Sequence, residues 1–287
     1  MTSQLKTMFL LALLSGIIIV LGGLLGGRGG IIIALVLALA MNIGSYWFSD
    51  KIVLSMYHAR ELEPDEAPWL YDIVRRLAAN ANIPMPRICI VPEQAPNAFA
   101  TGRDPAHAVV AVTDGIMRLL SPQELEGVVA HEIGHIANRD ILIQTIAGVM
   151  ASVIVSIANM LQFASLFGGR DNEHGGNIVT GIVMALLAPM AAGLIQMAIS
   201  RSREYLADET GARLCGQPLA LAGALYKLGE ASGRIPMNAG NPSTSEMFVV
   251  TPLFSKDSAI TKLFSTHPPI EERIERLRQL AAAGEAR

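Results

Sequence analysis

Four long apolar runs divide the chain, Met8 to Leu25, Ile31 to Phe48, Ile141 to Phe167 and Ile178 to Ile199, and none of them contains a charged side chain. Each approaches or exceeds the ~20 residues that cross a ~30 Å hydrocarbon layer as a helix. The first could pass for a cleaved signal peptide. A second run follows after only "GGRGG", however, which predicts a tight helical hairpin that stays in the membrane. Gln144, Asn159, Gln162 and Gln196 interrupt the last two runs. They would suit buried helices of a soluble core, or amides bonded between neighbouring spans, and four spans are the expectation. Lys6, Lys51, Arg60, Arg139, Arg201 and Arg203 flank one set of span ends, against Arg28 and Arg170 at the other. The positive-inside rule therefore puts both termini and both polar regions in the cytoplasm.

The boundaries that follow are a first transmembrane hairpin over residues 1–48, a polar region over 49–140, a second hairpin over 141–199 and a second polar region over 200–287. A hairpin returns the chain to the side it left, so the two polar regions can fold as one body. In the first of them Leu70, Ile73, Val74, Leu77 and Ala81 recur at helical spacing until Pro84 and Pro86 stop the pattern. "RICIV" (87–91), "NAFATG" (97–102) and "HAVVAV" (107–112) read as short strands, with proline and glycine between them. Ser121, Pro122 and Glu124 then form a helix start, with the serine as N-cap, proline at the first helical position and glutamate placed to close a capping box. In the second region "NAGNPSTSEMF" (238–248) reads as a loop.

Composition agrees with this division. The 287 residues are 51% apolar and 16% charged, with mean hydropathy +0.41, too apolar for an ordinary soluble domain. A net charge of −3 without a dense basic stripe gives no surface for phosphate backbones, so nucleic acid is excluded as a partner. Cys89 and Cys215 are far apart and lack CxxC spacing, which predicts two small core residues rather than ligands or nucleophiles.

The chemistry concentrates in "HEIGH", residues 131–135 of the capped helix. At about 3.6 residues per turn His131 and His135 project from one face, and two such imidazoles can hold one zinc ion. Glu132 is offset by about 100° and need not ligate; it can take a proton from an attacking water. Gly134, costly within a helix, could leave room above the metal. A catalytic zinc needs a third protein ligand. His58, His107, His174, His267 and the carboxylates are candidates, and the predicted topology puts His174 across the membrane. Glu204 and Asp208 share a helix face at i, i+4 just after the fourth run. If the helix of His135 runs on into the third span, His135 and Glu204 both lie roughly 8 to 9 Å outside the bilayer, at about 1.5 Å rise per residue. Two neighbouring helices would then bring His131, His135 and Glu204 to one level, with Asp208 placed to orient an imidazole. Arg201 and Arg203 read as interfacial anchors.

HEIGH, "SRSREYLADE" (200–209), "PNAFATG" (96–102) and "STHPPIEERI" (265–274), in this order and with four apolar runs, resemble the HtpX-type bacterial membrane zinc metalloproteases, grouped with Ste24 CAAX endopeptidases and Oma1. The resemblance covers nearly the whole chain. It implies a mainly α fold with a small β-sheet, four transmembrane helices and a zincin-like cytoplasmic protease domain built from two segments. It implies one zinc ion on His131, His135 and Glu204, with Glu132 as general base, and Asn97 and His267 holding substrate or the oxyanion. The implied substrates are misfolded or damaged membrane proteins met at the inner membrane, in quality control under stress. A cytoplasmic site facing its own loops also predicts self-cleavage, with Asn238 to Phe248 a candidate target. Two other readings are a narrow prenyl-peptide peptidase, for which four spans look too few to enclose a lipidated tail, and a zinc-binding membrane chaperone or scaffold without enzymatic activity. The latter would want a closed four-ligand site, and no convincing fourth ligand accompanies HEIGH and Glu204.

Overall fold

The computed structural model describes residues 3–147, 149, 201–232, 234–237, 247–250 and 268–284. The first two apolar runs lie in α1 (Ser3–Met56), which is two helices joined at Gly27. Gly27 has φ 56° and ψ −139°, a backbone state that a side chain would strain. The chain reverses there, since Asn42 Nδ2 donates to Ser15 Oγ at 2.7 Å and a Cβ on Gly23 would meet Ile31 Cγ1 at 3.2 Å. Glycine thus serves both the turn and the close approach of the two halves. Among the described residues one stretch, Gly27–Gly44, is long and apolar enough to cross a membrane. Its leucines, isoleucines and valines stand outward and unpacked, and Tyr46, Trp47 and Phe48 follow at its end. Of the third predicted run only the start is described, with 141–147 helical; the rest of it and the whole fourth run lie outside the described residues.

Beyond α1 the chain forms β1 (Arg60–Glu61), α2 (Pro68–Asn80), β2 (Arg87–Val91), β3 (Ala98–Thr101), β4 (Val109–Thr113), α3 (Asp114–Leu119) and α4 (Pro122–Ala137). Three further helices follow, here α5 (Arg201–Cys215), α6 (Pro218–Ser232) and α7 (Ile270–Ala283). The strands make one mixed sheet in the order β1-β2-β4-β3, with β2 parallel to β4 and the other pairs antiparallel. β3 is therefore an edge. The expected strand over 107–112 begins only at Val109, because Pro105–His107 is a 3₁₀ turn capped by Asp104. Strand β1 and helix α3 are too short for a periodic signal.

The sheet has an apolar layer on each side. On one, Ala98, Ala100, Val110 and Val112 pack under α4 with α2, α5, α6 and α7. On the other, Cys89, Phe99, Val109 and Ala111 meet Val53 and Tyr57 from the end of α1, so the hairpin is seated directly on the sheet. Arg87 Nη2 donates to Asp50 Oδ2 at 2.7 Å across the same junction.

Candidate metal centre

α4 begins as its sequence predicts. Ser121 Oγ accepts from Glu124 N at 3.3 Å, Glu124 Oε2 accepts from Ser121 N at 2.8 Å, and Lys227 Nζ holds the same oxygen at 2.7 Å. It ends earlier than a continuous helix would. Arg139, at φ 58°, takes the left-handed position of a Schellman turn, with Asp140 N donating to His135 O at 3.0 Å and Arg139 N to Ile136 O at 3.1 Å. The helix of His135 therefore breaks before residue 141. The depth expected from an unbroken rise does not apply, and the common level of the three candidate ligands comes from direct packing of α4 on α5.

Two glycines make that packing close. A Cβ on Gly211 of α5 would lie 2.7 Å from His131 N and 2.9 Å from Ala130 C, while one on Gly134 of α4 would lie 3.1 Å from Ala207 O. Gly134 thus answers to the neighbouring helix, not to space above a metal. With the backbones this near, Glu204 from the first turn of α5 reaches both histidines. Its Oε2 is 3.8 Å from His131 Nε2 and its Oε1 is 3.4 Å from His135 Nε2. One ligand atom from each of His131, His135 and Glu204 lies within 4.8 Å of the others, and all three residues are buried. The imidazole rings stand edge to face with centroids 4.7 Å apart.

The surrounding charges select the role of each group. Burial opposes ionisation of Asp208, but Arg273 and His131 outweigh it and hold its carboxyl down at about 2. Asp208 Oδ1 is 2.9 Å from His131 Nδ1, which leaves Nε2 facing Glu204. Burial lowers the pKa of His131. Burial also works against charge on His135, yet Glu204, Asp140 and Glu132 raise it to about 10: the site favours an added positive charge. Two imidazole nitrogens and a carboxylate oxygen, buried and electrostatically short of a cation, suit a zinc ion. Glu132, also buried, projects towards β3; desolvation raises its carboxyl to about 7, against the pull of His135 and the backbone N–H of Ala100.

Asn97 lies at the start of β3, buried, with its amide bonded to the chain at Val250. His267 lies outside the described residues. Arg203 is not an interfacial anchor: it turns inward, with its Nε 3.9 Å from Asp140 Oδ1. Sequence reading passed over Arg273, which is 1% exposed. Its Nε and Nη2 grip the two oxygens of Asp208 at 2.8 and 2.7 Å, its Nη1 donates to Val249 O at 2.8 Å, and Nη1 also stands 3.9 Å from Glu204 Oε2. The signal available was its position, one turn after "HPP" on a helix whose other arginines, Arg276 and Arg278, face outward. Cys89 and Cys215 are free thiols remote from the cluster, as small packing residues should be.

A helix-borne HExxH pair joined by a carboxylate from a second helix, with the motif glutamate turned to an edge strand, defines a metallopeptidase by fold and site. Residues 64–281 match peptidase family M48, and the chain belongs to that family. It is 55% identical to a protease HtpX homologue of Syntrophobacter fumaroxidans over 98% of this chain and 100% of that protein. With the protease HtpX homologue of Pyrococcus furiosus it shares 57% identity over 96% of this chain and 95% of the other. The resemblance drawn from the four motifs therefore holds over nearly the whole chain. Crystalline Ste24p of S. mikatae superposes with a TM-score of 0.51 at 20% identity, covering 96% of this chain but 65% of that one, a likeness of fold alone.

Proposed function

We propose that this protease is an integral membrane endopeptidase that holds one zinc ion on His131, His135 and Glu204 and hydrolyses peptide bonds in extended segments of misfolded or damaged membrane proteins. The observation that carries the reading is the buried cluster of two imidazoles and one carboxylate within 4.8 Å, beside Glu132. Zinc bound by these groups would acidify an attacking water and polarise the substrate carbonyl. Glu132, buried beside the cluster, takes the proton from that water as it attacks and returns it to the leaving amine. Asp208 keeps His131 presenting Nε2, and Arg273 keeps Asp208 ionised. Asn97 and the outer edge of β3 are the seat of the substrate main chain, which favours unfolded segments with loose side-chain preference. His267 is proposed as a further donor to the oxyanion.

The outward apolar surface of Gly27–Gly44 and the aromatic residues after it support embedding of the first hairpin in a lipid bilayer. Four spans, the two polar segments joined as one cytoplasmic body, both termini cytoplasmic at the inner membrane, a stress-response role and self-cleavage within Asn238–Phe248 belong to the same proposal. The test is metal analysis with casein degradation in detergent. The Glu132→Gln variant should keep its zinc and lose proteolysis; proteolysis that survives this change removes the catalytic assignment.

A further inference from the structure

The outer edge of β3 is covered at Ala98 by the chain itself. Asn97 gives its carbonyl to Thr113 N at 3.0 Å, so by strand alternation Ala98 and Ala100 turn their main-chain groups away from β4. Ala98 O accepts from Val249 N at 3.2 Å. The Asn97 side chain spans both ends of the next residue, with Nδ2 donating to Val250 O at 2.7 Å and Oδ1 accepting from Val250 N at 3.4 Å. Arg273 Nη1 takes the remaining carbonyl, Val249 O, at 2.8 Å. Every main-chain polar group of Val249 and Val250 is thereby bonded to β3, to Asn97 or to the arginine that holds Asp208.

The direction of the segment matters as much. Val249 lies at Ala98 and Val250 at Asn97, so the two stretches run antiparallel. One residue pair further along β3 from Ala98, the N–H of Ala100 faces Glu132. The side chains fall in two pairs: Val249 and Val250 enter the layer beneath α4, while Met247 and Phe248 lie in the layer on the other side of the sheet, Phe248 against Phe99 and Tyr57 at ring-centroid distances of 5.2 and 5.1 Å. An extended peptide docking on β3 beside the metal centre would compete for the outward carbonyl of Ala98 and for the Asn97 amide.

We propose that Met247–Val250 is an internal occupant of the substrate-strand site, so that the protease blocks its own cleft and a substrate must displace this segment to reach Glu132. The inference rests on the catalytic reading above and adds its regulation. A tethered segment competes at high effective concentration. An occupancy of about nine tenths would weaken apparent substrate affinity about tenfold without touching the chemical step. Only a main chain that can replace all these bonds displaces it, which selects unfolded segments over loops of folded proteins.

The experiment uses the full chain in detergent, zinc-loaded and carrying Glu132→Gln, with a fluorescent peptide copying residues 245–252 as the probe. Adding Val249→Pro removes the N–H bonded to Ala98 O, and should tighten peptide binding about tenfold. In the proteolytic enzyme the same change should lower KM for casein and leave kcat unaltered. A second measurement needs no change in the segment: saturating peptide should raise hydrogen exchange at residues 247–250 of the Glu132→Gln protein. Unchanged exchange, or equal peptide affinity in a Val249→Pro protein that melts normally, overturns the proposal. Because binding is read without turnover, a catalytic reading that failed would show separately, as proteolysis surviving Glu132→Gln.

Discussion

Arg273 shows how much of a candidate metal site can rest on a residue outside its ligand cluster. A guanidinium in a fully buried place is tolerable only if its donors are used, and Asp208, Val249 O and the nearby Glu204 use them. Arg273→Lys keeps the charge but cannot grip two carboxylate oxygens and a carbonyl at once. Zinc affinity should fall about 10- to 100-fold, as for loss of a group that orients a ligand. Competition with a chromogenic chelator measures it, and affinity equal to wild type would sever the line from Arg273 through Asp208 to His131. Arg273→Ala leaves the buried Asp208 without its cation, with only the His131 imidazole beside it, and should cost about 3 to 5 kcal/mol of stability. Denaturant unfolding checks that figure.

Helices α4 and α5 meet through glycines, and their spacing sets the ligand geometry. Gly211→Ala places a methyl 2.7 Å from the His131 amide nitrogen, against backbone that has no rotamer to adopt. The helices must part by some tenths of an ångström, at about 1 to 3 kcal/mol for overpacking. Glu204 rides on the displaced helix, so zinc affinity should drop together with melting temperature. Gly134→Ala meets Ala207 O at 3.1 Å and should show the same pair of effects more weakly. Metal titration and thermal melts of the two variants test the order; an unaffected Gly211→Ala protein would mean that the contact is not tight in solution.

At the scale of the molecule, the site ties together segments that lie more than sixty residues apart in the sequence. An ion on the proposed ligands of α4 and α5 could bind only when both helices are in place, so binding would add directly to the stability of the folded state. Chelation should lower the melting temperature of the wild type, since a ligand at about a thousand times its Kd contributes about 4 kcal/mol. The His135→Ala protein, lacking a ligand, should melt alike with and without chelator in differential scanning fluorimetry. An equal shift in both proteins would place the stabilising metal elsewhere.

The parts of this protein legible from sequence were those governed by near neighbours along the chain. The capping box at Ser121 and Glu124, the i, i+4 pair His131 and His135, the stop after α2 and the turn at "GGRGG" depend on short-range geometry that a periodic reading captures. The pairing of Glu204 with that motif was expected from an offset counted along an unbroken helix, whereas direct packing of α4 on α5 brings it about. The break at Arg139 was not, since a left-handed non-glycine residue carries no compositional mark. Gly134 was misread for a related reason: a glycine says that something comes close without saying what.

What the sequence by itself determined, then, was the inventory: apolar runs, a capped helix bearing two imidazoles and a glutamate, and a charged helix offering a carboxylate. Tertiary structure alone decided which buried cation anchors Asp208, how near two helix backbones lie, and that Val249 and Val250 rest on the edge of β3. The physical reason is that main-chain hydrogen bonds and helix contacts across more than a hundred residues are indifferent to side-chain identity at most positions. They leave little trace in composition or periodicity, and become visible only when the chain is folded.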